Sequence, residues 1–176
     1  MDRFLEEAVT KRNRTLDEVL YFASWALMIV TGVLGLLFFS SLSTAGLGAL
    51  LPTAVMIGIA VYLWFTHDKF RTEYEYTFTN GSLDFAMVFN NKKRKSLGSL
   101  NVAKVDAFGK VQSGSFRRHT ASKEVKHLRW FLNRDSELYY LAFSKEGKKS
   151  VIIFEPSDEL VGYIKHYLPY GAHQEN

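Results

Sequence analysis

The chain has 176 residues, 22 Lys and Arg against 18 Asp and Glu, no cysteine, and a mean hydropathy of −0.07. The missing cysteines exclude disulfides, thiolate catalysis and Cys-based zinc sites. The average hydropathy conceals two unlike halves: residues 19–66 hold no Asp, Glu, Lys or Arg, whereas residues 67–176 carry 18 basic and 13 acidic residues.

In chain order, residues 1–15 form a leading segment on which Phe4, Leu5, Ala8 and Val9 share one helical face. Two readings stand for it, an amphipathic helix lying on a membrane surface or an ordinary frayed terminus. Thr15-Leu16-Asp17-Glu18 fits a capping box, with a hydroxyl for an orphan amide and a Glu three residues on. Crossing a bilayer takes roughly 20 apolar residues, so the charge-free stretch has room for two spans. They are expected over 16–40 and 47–66, joined by the small, polar turn Ser40–Gly46, with Pro52 in the first turns of the second. A cleaved leader is disfavoured: residues 1–18 are long and acidic for an n-region, and the apolar run exceeds the usual length of about 7–15 residues.

Tyr21 and Trp25 at one end, and Tyr62 and Trp64 at the other, suit an aromatic belt on one side of a bilayer. Arg3, Lys11, Arg12 and Arg14 precede the first span, Lys69 and Arg71 follow the second, and the turn is uncharged. Both termini are therefore expected in the cytoplasm of an inner-membrane, multi-pass protein. Thr31 and Gly35 on one helix, and Ala54 and Gly58 on the other, are small-xxx-small pairs suited to helix–helix packing. No Asp, Glu, Lys or Arg lies within residues 19–66, which argues against a channel or transporter acting alone.

Beyond the spans, Tyr74, Tyr76 and Phe78 alternate with polar residues, Asn80-Gly81 signals a tight hairpin, and Leu83, Phe85, Met87 and Phe89 alternate back. Further strands are expected near 93–99, 103–111, 128–132, 137–144 and 150–155, with residues 112–127 as a long loop. Pro156-Ser157-Asp158-Glu159 opens a helix over about 156–168, with Leu160, Val161, Ile164 and Leu168 on its apolar face. Residues 171–176 are left as a tail.

Four strands, three strands and one helix make the layout of a pleckstrin-homology-like (PH-like) domain: an antiparallel β-barrel or sandwich with a C-terminal helix. The fold class is then α+β, a transmembrane helical hairpin followed by this domain over 67–170. RTEYEYTFTNGSLDF, WFLNRDSELYYL and VIIFEPSDELVGYIKHYLP resemble a family of small bacterial two-helix membrane proteins of unknown function with a PH-like cytoplasmic domain. The resemblance implies the architecture and carries no activity or site residues.

A strand rises about 3.3 Å per residue, which carries the Asn80-Gly81 turn about 25–30 Å from Arg71. In a meander, alternate turns then return to the membrane side: Lys92, Lys93, Arg94 and Lys95; Arg117 and Arg118; Lys145, Lys148 and Lys149. One reading is contact with anionic lipid. The other is a set of solvated turns, with Lys92–Lys95 guarding a sheet edge. The Thr79–Ser82 turn, where many PH domains hold phosphoinositide, has no Lys or Arg and is not expected to do so.

His67, His119, His127, His166 and His173 show no metal-ligand spacing, so neither metal nor cofactor is expected. Asn133-Arg134-Asp135 reads as a capped turn with a local ion pair or as a catalytic cluster. No phosphate loop and no GxSxG is present, so no catalytic residue is assigned. The aromatics read as core, and the modest charge does not call for nucleic acid. The expected function is protein binding or scaffolding at the inner membrane, with the bilayer and a membrane protein as partners. The alternatives are a sensor of anionic lipid surface and an accessory subunit of a transporter or cell-envelope complex.

Overall fold

The computed structural model describes residues 3–122 and 124–174, so the end of the expected tail, 175–176, lies outside the described residues. The chain forms two compact units: a β unit of Met1–Arg12, Glu73–Val88 and Lys93–Asn176, and a helical unit of Asn13–Thr72 and Phe89–Lys92.

In the β unit, β1 (Phe4–Val9), β2 (Thr72–Thr79), β3 (Ser82–Phe89) and β4 (Lys93–Asn101) form one sheet in that order. The segment 4–9 is therefore a strand, not a surface helix. It pairs antiparallel with β2 in the register Leu5↔Phe78, Glu7↔Tyr76 and Val9↔Tyr74. Leu5 and Val9 reach the core on the same face as those aromatics. Tertiary pairing overrides the helical leaning of Leu, Glu and Ala here.

The second sheet holds β5 (Ala107–Lys110), β6 (Lys126–Trp130), β7 (Tyr139–Lys145), β8 (Lys148–Phe154) and β9 (His173–Gln174), in the order β6-β8-β7-β5-β9. The expected four-plus-three division changes accordingly. The fourth predicted strand joins the second sheet because a 3-10 turn, Val102–Lys104, redirects the chain. Val102 is fully buried and its N–H donates to the Gly81 carbonyl at 2.8 Å. β6 pairs parallel with β8, and β5 with β9, so this sheet is mixed. Among the described residues no strand pairs across the two sheets, so the barrel is not closed.

Tyr76, Phe78, Leu83, Phe85, Phe108, Leu141, Phe154, Leu160 and Ile164 form the core between the sheets and a C-terminal helix, Asp158–Tyr167. Each such side chain contributes about 1.5–3 kcal/mol when fully buried. The Ser157 hydroxyl caps that helix, accepting from Leu160 N–H at 3.2 Å. The other face of the second sheet carries Ala107, Tyr140, Ala142, Val151 and Ile153. Part of it is covered by a short helix, Gly114–Thr120, within the expected loop.

The helical unit holds α1 (Thr15–Ser40), a short α2 (Leu42–Ala45), a 3-10 turn Gly46–Ala49, and α3 (Leu50–Thr66). With α1–α3 assigned, Gly114–Thr120 is α4 and Asp158–Tyr167 is α5. The expected capping box does not form. Arg14 takes the cap position without a side-chain bond, and Asn13 Oδ1 accepts from Thr15 N–H instead. The Glu18 carboxylate is taken by Arg71.

Of the small residues expected to pack, Thr31 and Gly35 are buried, whereas Ala54 and Gly58 are exposed. Thr53 is the buried position on α3, one residue earlier. A Cβ on Gly35 would stand 3.0 Å from Ile57 Cγ1 and 3.5 Å from Met56 Cβ, while one on Gly58 meets nothing within 4 Å. Gly35→Leu is accordingly expected to destabilise the helix pair by about 1–3 kcal/mol in detergent melts. Gly58→Leu is expected to leave the melt unchanged, and equal effects would remove Gly35 from the interface.

Candidate functional site

Three groups of polar side chains are candidates for the site. The first lies in the helical unit. Arg71 donates through Nε to Glu18 Oε1 at 3.0 Å and through Nη2 to Glu18 Oε2, the two-pronged geometry that favours Arg. Its Cζ stands 3.8 Å from the Tyr21 ring centroid. Nη1 donates to Asn90 Oδ1 at 3.3 Å, and Asn90 Nδ2 donates to Asp68 at 2.8 Å and to the Tyr21 hydroxyl at 3.3 Å. Buried His67 is 3.3 Å from Asp68 and lies against Tyr21, Trp25 and Trp64 at ring distances of 5.8, 5.2 and 6.2 Å. These groups are turned on one another, so the cluster works as a clamp that ties Phe89–Lys92 to the ends of α1 and α3. Its sequence signal was the position of Glu18 and Asp68 at the two borders of the charge-free stretch.

The second group surrounds Asn133 in the β unit. Asn133 Nδ2 donates to the Thr10 carbonyl and to Glu155, both at 3.0 Å, while its Oδ1 accepts from Arg12 N–H at 2.8 Å. Glu155 also accepts from Ser136, and Glu7 accepts from Ser157 N–H at 3.1 Å. Burial holds the Glu7 carboxyl above the usual carboxylate range, against the two Ser157 bonds that pull it down. Burial also pushes the Tyr76 hydroxyl up; it donates to the Trp130 carbonyl. An open cleft of about 580 Å³ runs past Glu7, Arg12, Asn133, Glu137 and Glu155. The carboxylates of Glu7, Glu137 and Glu155 accept from the chain's own donors, with Glu137 taken by Lys110. Among the described residues no three His, Asp or Glu stand where they could hold a metal. Of the two sequence readings of Asn133-Arg134-Asp135, the bonding favours the structural one: Asn133 is a buried tie, and Asp135 meets Arg12 at 3.4 Å on the surface.

The third group gathers the basic residues. Lys92 lies in the Phe89–Lys92 turn; Lys93, Arg94 and Lys95 are exposed on β4, the outer strand of its sheet, where Arg94 Nε stands 2.9 Å from Glu75. Arg117 and Arg118 lie on α4, and Lys148 and Lys149 on β8. The structure brings two of these together. Arg118 and Lys149 line one cleft of about 360 Å³ with His119, Ser122, Ser144 and Ser150, while Arg117 and Lys148 are not in its wall. Sequence reasoning grouped each adjacent pair as a unit and missed this sorting, because α4 was expected as loop.

No curated protein and no solved structure matches the chain. The strand-rich unit of two sheets closed by a C-terminal helix has its counterpart in a family match over residues 1–173, which takes in β1 and both apolar helices. The chain belongs to the Bacterial PH-like domain family DUF6106.

Proposed function

We propose that the protein is an integral membrane protein whose PH-like domain binds or scaffolds a membrane protein at the inner membrane, without catalysis. The observation that carries the membrane part is the surface of the two apolar helices. Thr15–Ser40 and Leu42–Arg71 are long and apolar enough to cross a bilayer, and only 17% and 11% of their most apolar windows are buried. A core helix of a soluble protein buries most of such a window. Here Leu36, Phe39, Leu51 and Trp64 are 68, 60, 74 and 57% exposed, a surface whose natural solvent is lipid. Trp25, Trp64 and Tyr21 gather at one end beside His67 and Arg71, as an interfacial belt does.

A topological fact adds support. β1 and β2 flank the helices in sequence and are neighbours in one sheet. Both flanks therefore share one side of any membrane the pair crosses, and the Lys and Arg bias supports the cytoplasmic side. The binding role draws on the two polar networks, whose groups are occupied by one another and offer no catalytic constellation. An accessory-subunit reading is favoured by one further observation, an apolar groove on the helix pair past Gly32, Ala60 and Trp64.

The cysteine-free chain makes the topology direct to test. A single Ser43→Cys, between the helices, is expected to react with a membrane-impermeant maleimide in intact cells. Glu146→Cys, in the β7–β8 turn, is expected to react only after lysis. Labelling of both from outside, or release of the protein from membranes by alkaline carbonate, would overturn the two-span reading. In-cell cross-linking with mass spectrometry tests the binding role: one reproducible protein linked to the β unit is expected, and self-links alone would refute it.

A further inference from the structure

Arg118 and Lys149 share a cleft, and among the described residues neither has an ion-pair partner. Lys149 sits opposite Ser144 in the β7–β8 register, two pairs beyond Ala142↔Val151 and so on the same face, whose residues line the same wall. Neighbours across a ladder project from one face. Arg118 and His119 come from the last turn of α4. That helix is fixed by Phe116 against the Tyr140 ring at 5.3 Å and by a 2.8 Å hydrogen bond between the Ser115 and Tyr140 hydroxyls. Two cations from separate elements therefore line one cleft, opposed there among the described residues by the single acid Asp106, and a bound anion would add favourable charge.

The donor set narrows the anion. A guanidinium offers two parallel N–H groups, an ammonium a point charge, and Ser122 adds a hydroxyl from a further direction. Donors spread over α4, the loop after it and β8 suit a tetrahedral group with three free oxygens better than a planar carboxylate. Asp106, the one acid in the wall among the described residues, accepts from the Ser144 hydroxyl at 2.8 Å. The space, about 360 Å³, accommodates a phosphate with a small substituent.

We infer that the cleft between α4 and the β7–β8 end is a binding site for a phosphate monoester dianion, carried by a lipid headgroup or by a soluble molecule. This goes beyond the scaffolding role and does not depend on the helices crossing a membrane.

The test titrates full-length protein in detergent with inorganic phosphate. Arg118→Ala and Lys149→Ala are expected to weaken binding about tenfold each, the loss of one charge-assisted bond. Arg117→Ala and Lys148→Ala remove the same charge outside the cleft and are expected to change it less than about twofold. Asp106→Asn is expected to tighten it. All four basic positions are exposed, so unchanged melts show that the variants fold. Repeating the titration in phosphatidylcholine nanodiscs with and without phosphatidic acid separates the sources. Competition by phosphatidic acid in the wild type alone assigns a headgroup, and unchanged phosphate affinity assigns a soluble ligand; both support the site. Absence of saturable phosphate binding, or equal losses in the cleft and control variants, would overturn it.

Discussion

Asn133→Ala is expected to lower the stability of the β unit by about 2–4 kcal/mol, a sum over the partners it strands. Asn133 is 6% exposed and its side chain serves three of them. Its removal leaves the Arg12 N–H and the Thr10 carbonyl without their side-chain partner and takes one donor from Glu155. Buried groups left unsatisfied cost more than the bond contributed, at about 1–3 kcal/mol each. Asn133→Asp separates the donor from the acceptor. It keeps an oxygen for Arg12 but loses the amide donor and sets a second carboxylate beside Glu155. Like charges raise the pKa of such a pair in the folded state. A raised folded value means that stability is gained as pH falls through it, so the Asp variant should be worst near neutrality and recover in mild acid. Thermal melts in detergent across pH read both effects. An Ala variant that melts with the wild type would show that the tie carries no load.

Gly81→Val is the second large effect, expected at about 3–5 kcal/mol from backbone strain together with overpacking. Asn80 and Gly81 have φ of 47° and 91°, the left-handed pair of a type I′ turn. A β-branched residue is strained there whatever the space around it. The space is also taken: a Cβ on Gly81 would stand 2.8 Å from Tyr167 Cδ1. Tyr167 cannot swing freely, because its ring packs on Phe78 at 5.4 Å. Gly147 is the internal control. It has φ of 76° in the β7–β8 turn, but nothing lies within 4 Å of its added Cβ. Gly147→Val should show the backbone cost alone. Tyr167→Ala should recover part of the Gly81→Val loss and none of the Gly147→Val loss. Equal destabilisation at the two glycines would show that Tyr167 does not press on the turn.

What was legible from residues was whatever a local period could show. β2, β3, the Asn80-Gly81 turn and α5 follow from alternation, turn chemistry and a spaced apolar face. Both apolar helices follow from a stretch without charge. The features that escaped depend on partners far along the chain. FLEEAV looks helical, and its inward Glu7 breaks the apolar alternation; only β2 alongside makes it a strand. VQSGSFRRHTASKEVK has no apolar stripe, and α4 exists because Phe116 finds Tyr140. The jump of β5 to the second sheet and the parallel pairing of β6 with β8 leave no trace in any short window. The same limit explains the candidate site. Basic residues could be counted from sequence, but which member of each pair faces the cleft depends on a helix and a register that only the fold supplies.

The pairing of β1 with β2 also orders events during synthesis. β1 leaves the ribosome before the helices, yet its partner, from Tyr74 to Thr79, emerges only after both apolar helices have been made. Until then Leu5 and Val9 have no sheet to cover and the backbone of β1 has no ladder to join. The first sheet can close only on a chain whose two flanks have come to the same compartment. A chain that inserted one helix and not the other would hold β1 and β2 apart, with Phe78 and Tyr76 uncovered at the edge. On the proposed two-span reading, insertion of the helices and completion of the β unit are a single checkpoint, passed or failed together.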